Sequence, residues 1–195
     1  MTRLVIATKN KGKIKEFKEL LEGYDYQVLS LDEAGIDVEV EENGQTFEEN
    51  SLIKARAIHE LVGGMVIADD SGIEIDFLNR APGIYSARFL GEVSDVCRYE
   101  GVLALLEGIP EEFRSARFRC VACLVTEGEA LTFHGTVEGR IAMEPKGENG
   151  FGYDPIFYVL EMGMTVAEMD SDNKNRISHR GRAFRLLANK LIKAE

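Results

Sequence analysis

Asp69 and Asp70 stand side by side between two apolar runs and are followed by Ser71-Gly72. Adjacent carboxylates at a sheet end can divide labour, one binding a hard cation and the other orienting or deprotonating a water. A solvated Asx turn is the competing reading, although flanking runs this apolar make a double Asp costly unless it is solvated or occupied. A second group of residues, Thr8-Lys9-Asn10-Lys11-Gly12-Lys13, lies where an apolar run gives way to helical spacing. Free N–H groups at a helix start, a hydroxyl, an amide and nearby ammonium groups make a cradle for phosphate, while Asn10 as an ordinary helix cap among solvated lysines explains the same residues. The Walker pattern GxxxxGK[ST] is absent.

Three further segments carry chemistry. Within an acidic stretch, Glu41-Glu42 end an expected strand just before Asn43-Gly44, and a carboxylate there reaches a metal held by Asp70 if that strand neighbours the one carrying Asp70. Gly150-Phe151-Gly152-Tyr153-Asp154 sets aromatics between glycines, which suits stacking on a base as well as it suits a loop tucked into the core. Ser178-His179-Arg180-Gly181, with Lys174 shortly before, places an imidazole and cations at a helix start, fit for phosphate or base oxygens or for a plain N-cap with surface charges.

The net charge of −11 over 195 residues excludes general affinity for nucleic acid, which needs a basic surface. That charge is unevenly spread. Lys9, Lys11, Lys13, Lys15 and Lys18 crowd one segment, Lys174, Arg176, Arg180, Arg182 and Arg185 another, and residues 32–50 hold acids without a Lys or Arg. Two cationic segments and one anionic segment fit a small polyanion together with a divalent cation, or else the solvated faces of amphipathic elements. No apolar run approaches the roughly 20 residues of a membrane span, and none at the start forms a signal-peptide core, so a soluble cytoplasmic protein with no membrane partner is expected. Cys97, Cys120 and Cys123 are too few for a disulfide framework. Cys120 and Cys123 lie on an apparent strand, where positions three apart face opposite ways, so buried structural thiols are expected rather than a metal pair.

The elements that must position these groups alternate. Leu4 to Ala7 reads as a strand, and Ile14, Phe17 and Leu21 as one face of the following helix up to Gly23. Strands are expected at 26–31 and 36–41, and a helix opens at Thr46 with a capping box to Glu49 and stops at Gly63-Gly64. Met65 to Ala68 reads as a strand broken at 69–72 and resumed at 73–77. A helix near 94–107, two long strands near 115–126 and 130–143, a loop at 145–155 and a helix from Ser178 complete the pattern. Nothing divides the chain, so residues 1–195 are expected to form a single α/β domain around one sheet.

In combination the segments resemble the inosine triphosphate and xanthosine triphosphate pyrophosphatase family. The matching blocks are Thr8 to Lys13, Thr46 to Ala55 (TFEENSLIKA), Ala68 to Gly72 (ADDSG), Ala81 to Phe89 (APGIYSARF), Gly150 to Phe157 (GFGYDPIF) and Ser178 to Gly181 (SHRG), in family order along nearly the whole chain. The resemblance implies an elongated central mixed sheet flanked by helices, in two lobes with the nucleotide cleft between them, and a homodimer. It implies hydrolysis of non-standard purine nucleoside triphosphates (ITP, dITP, XTP) to the monophosphate and pyrophosphate with Mg²⁺. By motif position, Asp70 is the catalytic acid/base and binds the metal with Glu41 or Glu42. Thr8, Lys9, Asn10, Lys11, Gly12 and Lys13 meet the triphosphate, and Ser71, Phe151, Gly152, Tyr153, Asp154, Lys174, His179 and Arg180 complete the nucleotide site. Where the family often has Thr-Gly-Gly before Phe-Gly-Tyr-Asp, this chain has Glu148-Asn149-Gly150. The alternatives are a pyrophosphatase for modified pyrimidine nucleotides and a regulator that binds nucleotide without chemistry. The Asp69-Asp70 pair favours an enzyme, because a pure binder of polyanions gains nothing from carboxylates beside phosphates.

Overall fold

A computed structural model of the chain describes residues 2–192, with the side chains of Leu20 and Ile192 left aside. One mixed sheet of seven strands, ordered β2-β1-β3-β4-β5-β6-β7, carries the fold. Its strands are β1 (Thr2–Ile6), β2 (Tyr26–Ser30), β3 (Met65–Ile75), β4 (Ser115–Val125), β5 (Ala130–Ile141), β6 (Phe157–Val159) and β7 (Met164–Thr165). β1 pairs in parallel with β2 and β3, in register Ile6 to Ser30 and Ile6 to Ile67, whereas β6 pairs antiparallel with β5 and β7. The helices are α1 (Lys11–Leu20), α2 (Phe47–Val62), α3 (Asp95–Leu105), α4 (Ser171–Ile177) and α5 (His179–Ile192). Among the described residues no helix is long and apolar enough to cross a membrane.

The chain forms two compact units, each assembled from separate segments. The first takes the N-terminal segment through Asp70, Cys120–Gly135 and the chain from Arg180; the second takes Ser71–Arg119 and Thr136–His179. In the first unit, strand alternation sorts the core into two clusters. Leu4, Ile6 and Ile67 face Phe17 of α1 and Phe184, Leu187 and Leu191 of α5, whereas Val5, Ala7, Val66 and Ala68 face Ala55 and Ile58 of α2. Cys120 belongs to the first cluster and Cys123 to the second, both buried and free, as expected for thiols three apart on a strand. In the second unit Ile73, Ile75, Phe118, Val137 and Phe157 pack with Val102 and Leu106 of α3 and its C-terminal end.

Three local expectations are corrected. Residues 36–41 form no strand; Ile36, Val38 and Val40 alternate because one side of an extended segment is half-buried against the α2 cluster, not because they join a ladder. β3 is not broken at 69–72. The turn-prone residues there stay extended because their side chains find tertiary partners, and because Gly72 lies so close to Gly83 and Ser86 that an added Cβ would come within 2.3 Å of the Gly83 carbonyl oxygen and 2.5 Å of Ser86 Oγ. The α2 capping box is half-formed: Thr46 Oγ1 accepts the Glu49 N–H, but Glu49 reaches back to Gln45 N–H instead of Thr46. The expected Gly63 stop holds, with φ of 62° at the cap. α4, β6 and β7 were not anticipated; each is short, and β6 and β7 are three and two residues long.

Candidate active site

Because β3 continues through the acidic pair, Asp69 and Asp70 point to opposite faces of the sheet. Asp69 lies on the α1 and α5 face. It is fully buried, with Lys13 Nζ 3.0 Å and Arg180 Nε 3.5 Å from Oδ2, and the Cys120 thiol directed at the same oxygen from 3.9 Å. Burial alone would push its carboxyl up; Lys13, Arg180 and Lys54 outweigh that and hold it well below the usual carboxylate range. Arg180 also pairs with Glu16 of α1, and although burial opposes its charge, Glu16 and Asp69 keep the guanidinium more firmly protonated than usual.

Asp70 lies on the α2 face. Asn50 Nδ2 donates to its Oδ2 at 3.1 Å, and the Asn50 carboxamide oxygen accepts the Gly44 N–H at 2.8 Å, so one α2 side chain ties the carboxylate to the acidic segment. A Cβ at Gly44 would lie 2.7 Å from Asn50 Oδ1, so this approach depends on glycine. Lys54, one helical turn on, donates to the Asp69 carbonyl oxygen at 2.9 Å and pairs with Glu42 Oε1 at 2.9 Å. Burial raises the Asp70 carboxyl to about 6, with Lys54 and Lys13 pulling it down and Glu42 adding to the rise. A buried carboxyl that ionises near neutrality is poised to take a proton from water.

The loop before α1 sorts its lysines. Lys13 turns inward to Asp69, whereas Lys9 pairs with Asp37 in solvent and Lys11 is exposed. Asn10 caps α1, its side-chain oxygen accepting the Gly12 and Lys13 N–H groups, and Thr8 Oγ1 accepts the Asn10 N–H at 3.3 Å. Glu41 is exposed, and Glu42 is the member of that pair turned to Lys54 and felt by Asp70. These residues all belong to the first unit.

The remaining candidates, apart from Arg180, belong to the second unit. Lys174 Nζ is 2.9 Å from Asp154 Oδ2 and sits over the Phe151 ring at 4.6 Å; the same carboxylate oxygen accepts the Phe151 N–H at 2.9 Å. Gly152 N–H donates to Asp95 at 2.8 Å and Tyr153 Oη to the Ser86 carbonyl at 2.8 Å, fixing the loop on both sides. His179 stacks on Phe118 at 4.7 Å with 12° between the rings, beside a small pocket that Asp154, Lys174 and Ser178 also line. Ser71 opens this unit at partial exposure, next to Asp70 along β3.

The sequence reading missed Glu16, Asn50, Lys54 and Phe118. Asn50 and Ser51 occupy the core stripe of α2 set by Phe47, Ala55 and Ile58, where a polar residue needs a partner, and Lys54 lies four residues from Asn50 on the same face. Glu16 is the acid beside Phe17 in a lysine-rich helix, three residues after Lys13. For a metal, among the described residues no three His, Cys, Asp or Glu side chains converge. Glu42 and Asp70 supply the hard carboxylate oxygens that a divalent cation takes, together with waters and substrate phosphates, and Glu42 is felt electrostatically by Asp70.

Fold and site together define an α/β protein with buried ammonium groups and a raised carboxyl suited to polyphosphate hydrolysis. The chain belongs to the Ham1 family, whose profile matches residues 4–190. It is 53% identical over 196 residues to the dITP/XTP pyrophosphatase of Bacillus subtilis, covering 100% of this chain and 98% of that protein, and 50% identical over 190 residues to the protein of that name in Bacillus licheniformis, covering 96% and 97%. Among solved structures it matches a HAM1 protein from Coxiella burnetii with a TM-score of 0.90 at 43% identity, over 99% of this chain and 100% of that one. The Staphylococcus aureus Ham1 protein matches with a TM-score of 0.89 at 44% identity, over the same shares.

Proposed function

We propose that this chain hydrolyses non-standard purine nucleoside triphosphates, ITP, dITP and XTP, to the monophosphate and pyrophosphate, with residues 1–195 acting as one functional domain. The observation that carries the reading is the buried Asp70 carboxyl, raised to about 6 among Asn50, Lys54 and Glu42. Asp70 orients a water and accepts its proton as the oxygen attacks the α-phosphorus. Lys13 and Lys54 offset the charge gathering on the departing β,γ-pyrophosphate, where fixed cations in a desolvated site act most strongly. Asp69 holds Lys13 in place, and Arg180 with Glu16 holds Asp69. Glu42 and Asp70 would hold magnesium, which when bound would neutralise charge on phosphate oxygens. Phe151 offers a ring face to the purine, and Lys174 and His179 offer donors that suit a 6-oxo group, while the 6-amino group of adenine would leave donors facing a donor.

The protein's free cysteines support a reducing cytoplasm. Exposed Tyr85, Leu90, Val93 and Val96, close together in sequence, support a homodimer, to be checked by sedimentation. The activity is tested by incubating the protein with purine and modified pyrimidine nucleoside triphosphates and Mg²⁺ and identifying the products. ITP and XTP should give monophosphate plus pyrophosphate, with ATP and GTP far poorer. Nucleoside diphosphate and inorganic phosphate as first products would exclude attack at the α-phosphorus, and preference for a pyrimidine would move the assignment to that substrate class.

A further inference from the structure

We infer that the Lys54 ammonium is a built-in counter-cation of the free protein, holding Glu42 until a divalent ion takes its place. The inference rests on the reading of Glu42 and Asp70 as the metal's ligands. Lys54 reaches from α2 with only 12% of its side chain exposed and anchors at two points, Glu42 Oε1 and the Asp69 carbonyl oxygen, both at 2.9 Å. It therefore stands at the junction of the acidic segment and the acidic pair of β3.

Geometry makes the two cations rivals. Magnesium sits about 2 Å from a carboxylate oxygen. An ammonium 2.9 Å from that same carboxylate would then lie within a few ångströms of a double positive charge, in surroundings that screen poorly. Lysine can resolve this by swinging away, because its charge is a point on a flexible four-carbon stem and not a rigid fork. Lys13 does not compete in this way, since its partner is the Asp69 carboxylate on the other face of β3. The consequence is a low affinity of the free protein for metal alone. Tight metal binding then requires a polyanion that offers the displaced ammonium new oxygens, so that metal and substrate arrive together.

The test titrates Mn²⁺ alone, without nucleotide, into the full-length protein and reads free Mn²⁺ by electron paramagnetic resonance. Lys54→Met, which removes the charge and keeps most of the stem, should bind Mn²⁺ about tenfold or more tightly than the wild type, the scale of one lost like charge at close range. Lys54→Arg keeps the charge and should stay weak, and Glu42→Gln should abolish the gain in Lys54→Met. A readout free of folding effects uses wild-type protein carrying ¹³C at lysine Cε. The Lys54 signal, identified by its loss in Lys54→Arg, should shift as Mg²⁺ saturates the site. Unchanged or weaker affinity in Lys54→Met, or a Lys54 signal that stays fixed at saturation, overturns the inference while leaving the metal reading intact if Glu42→Gln still weakens binding. Affinity indifferent to Glu42→Gln in the wild type overturns the metal reading and the inference with it.

Discussion

The two faces of β3 treat the same residue type in opposite ways. On the α1 and α5 face Asp69 is packed among cations and held well below the usual carboxylate range; on the α2 face Asp70 is met by an amide, a shared lysine and another carboxylate, and rises to about 6. A one-residue step along an extended strand is enough to exchange one environment for the other. The difference teaches that the role of each carboxylate is set by what its face collects. Asp69 serves as a fixed negative charge that positions Lys13 and Arg180, while Asp70 has the ionisation range of a base. Environments that push the pKa values of neighbouring acids apart are a general mark of divided catalytic labour.

The largest effect that can break this comparison is on turnover. Asp70→Asn preserves shape and can still accept from Asn50, but it cannot take a proton, so kcat for ITP should fall by roughly 10² to 10⁴, the usual scale of a lost acid/base group. Steady-state kinetics at saturating Mg²⁺ reads this directly. A kcat close to the wild type would place the base elsewhere and remove the functional half of the contrast.

Next in size is the stability of Asp69→Asn. Removing this charge leaves Lys13 and Arg180 facing a neutral amide inside the first unit, and breaking a buried ion pair from one side costs about 3–5 kcal/mol. Chemical denaturation should show that loss. An unchanged unfolding midpoint would mean that solvent reaches the cluster and that Asp69 is not the fixed charge described.

The same substitution one residue later should act with the opposite sign. The folded pKa of Asp70, about 6, lies above its ordinary value of 3.8, so the folded state holds the proton more tightly than the unfolded chain. The corresponding stability is present below about pH 4 and is lost as the pH rises through 6. Asp70→Asn removes that loss and should stabilise the protein by roughly 3 kcal/mol at pH 8, with the gain shrinking as pH falls towards 4. Unfolding is measured with chelator present, because a bound divalent ion would change the charge around Asp70. Equal destabilisation by both substitutions would show that the two faces are not electrostatically distinct.

Much of this was legible in the sequence because it depends on local rules. The alternation of Val5 and Ile6, the helical spacing of Phe17 and Leu21, the Gly63 stop and the opposite burial of Cys120 and Cys123 follow from strand and helix periodicity. Asp69, Asp70, Lys13 and Arg180 were legible as candidates, because side chains costly to bury stand beside apolar runs at expected element ends. Their division between faces was not. Asp69-Asp70-Ser71-Gly72 has the composition of a turn, and only distant partners, among them Lys13, Asn50, Ser86 and Arg180, keep it extended. Lys54 and Glu16 were hidden for a related reason: a charge on an amphipathic helix reads as a solvated face until the fold supplies buried partners.

The smallest effect concerns two lysines of one loop, and it tests whether the contrast between faces depends on burial or only on the number of positive charges nearby. Lys13 is 14% exposed and meets a fully buried carboxylate, whereas Lys9 is half exposed and pairs at 2.8 Å with Asp37, whose side chain is almost entirely in solvent. An exposed pair of this kind gains little, since water and salt screen it and two long side chains must be held still. Lys9→Ala should therefore leave the melting temperature and kcat at wild-type values. Its one expected trace is a modest rise in KM at low ionic strength, from the lost positive field around an anionic substrate, and this should disappear in a few hundred millimolar salt as the Debye length contracts. Lys13→Ala should lower kcat at every salt concentration, because its ammonium acts at fixed distance inside a desolvated site. If Lys9→Ala lowers kcat in a salt-independent way, Lys9 leaves Asp37 to join the reacting phosphates, and the inward and outward lysines of the loop are not functionally separate.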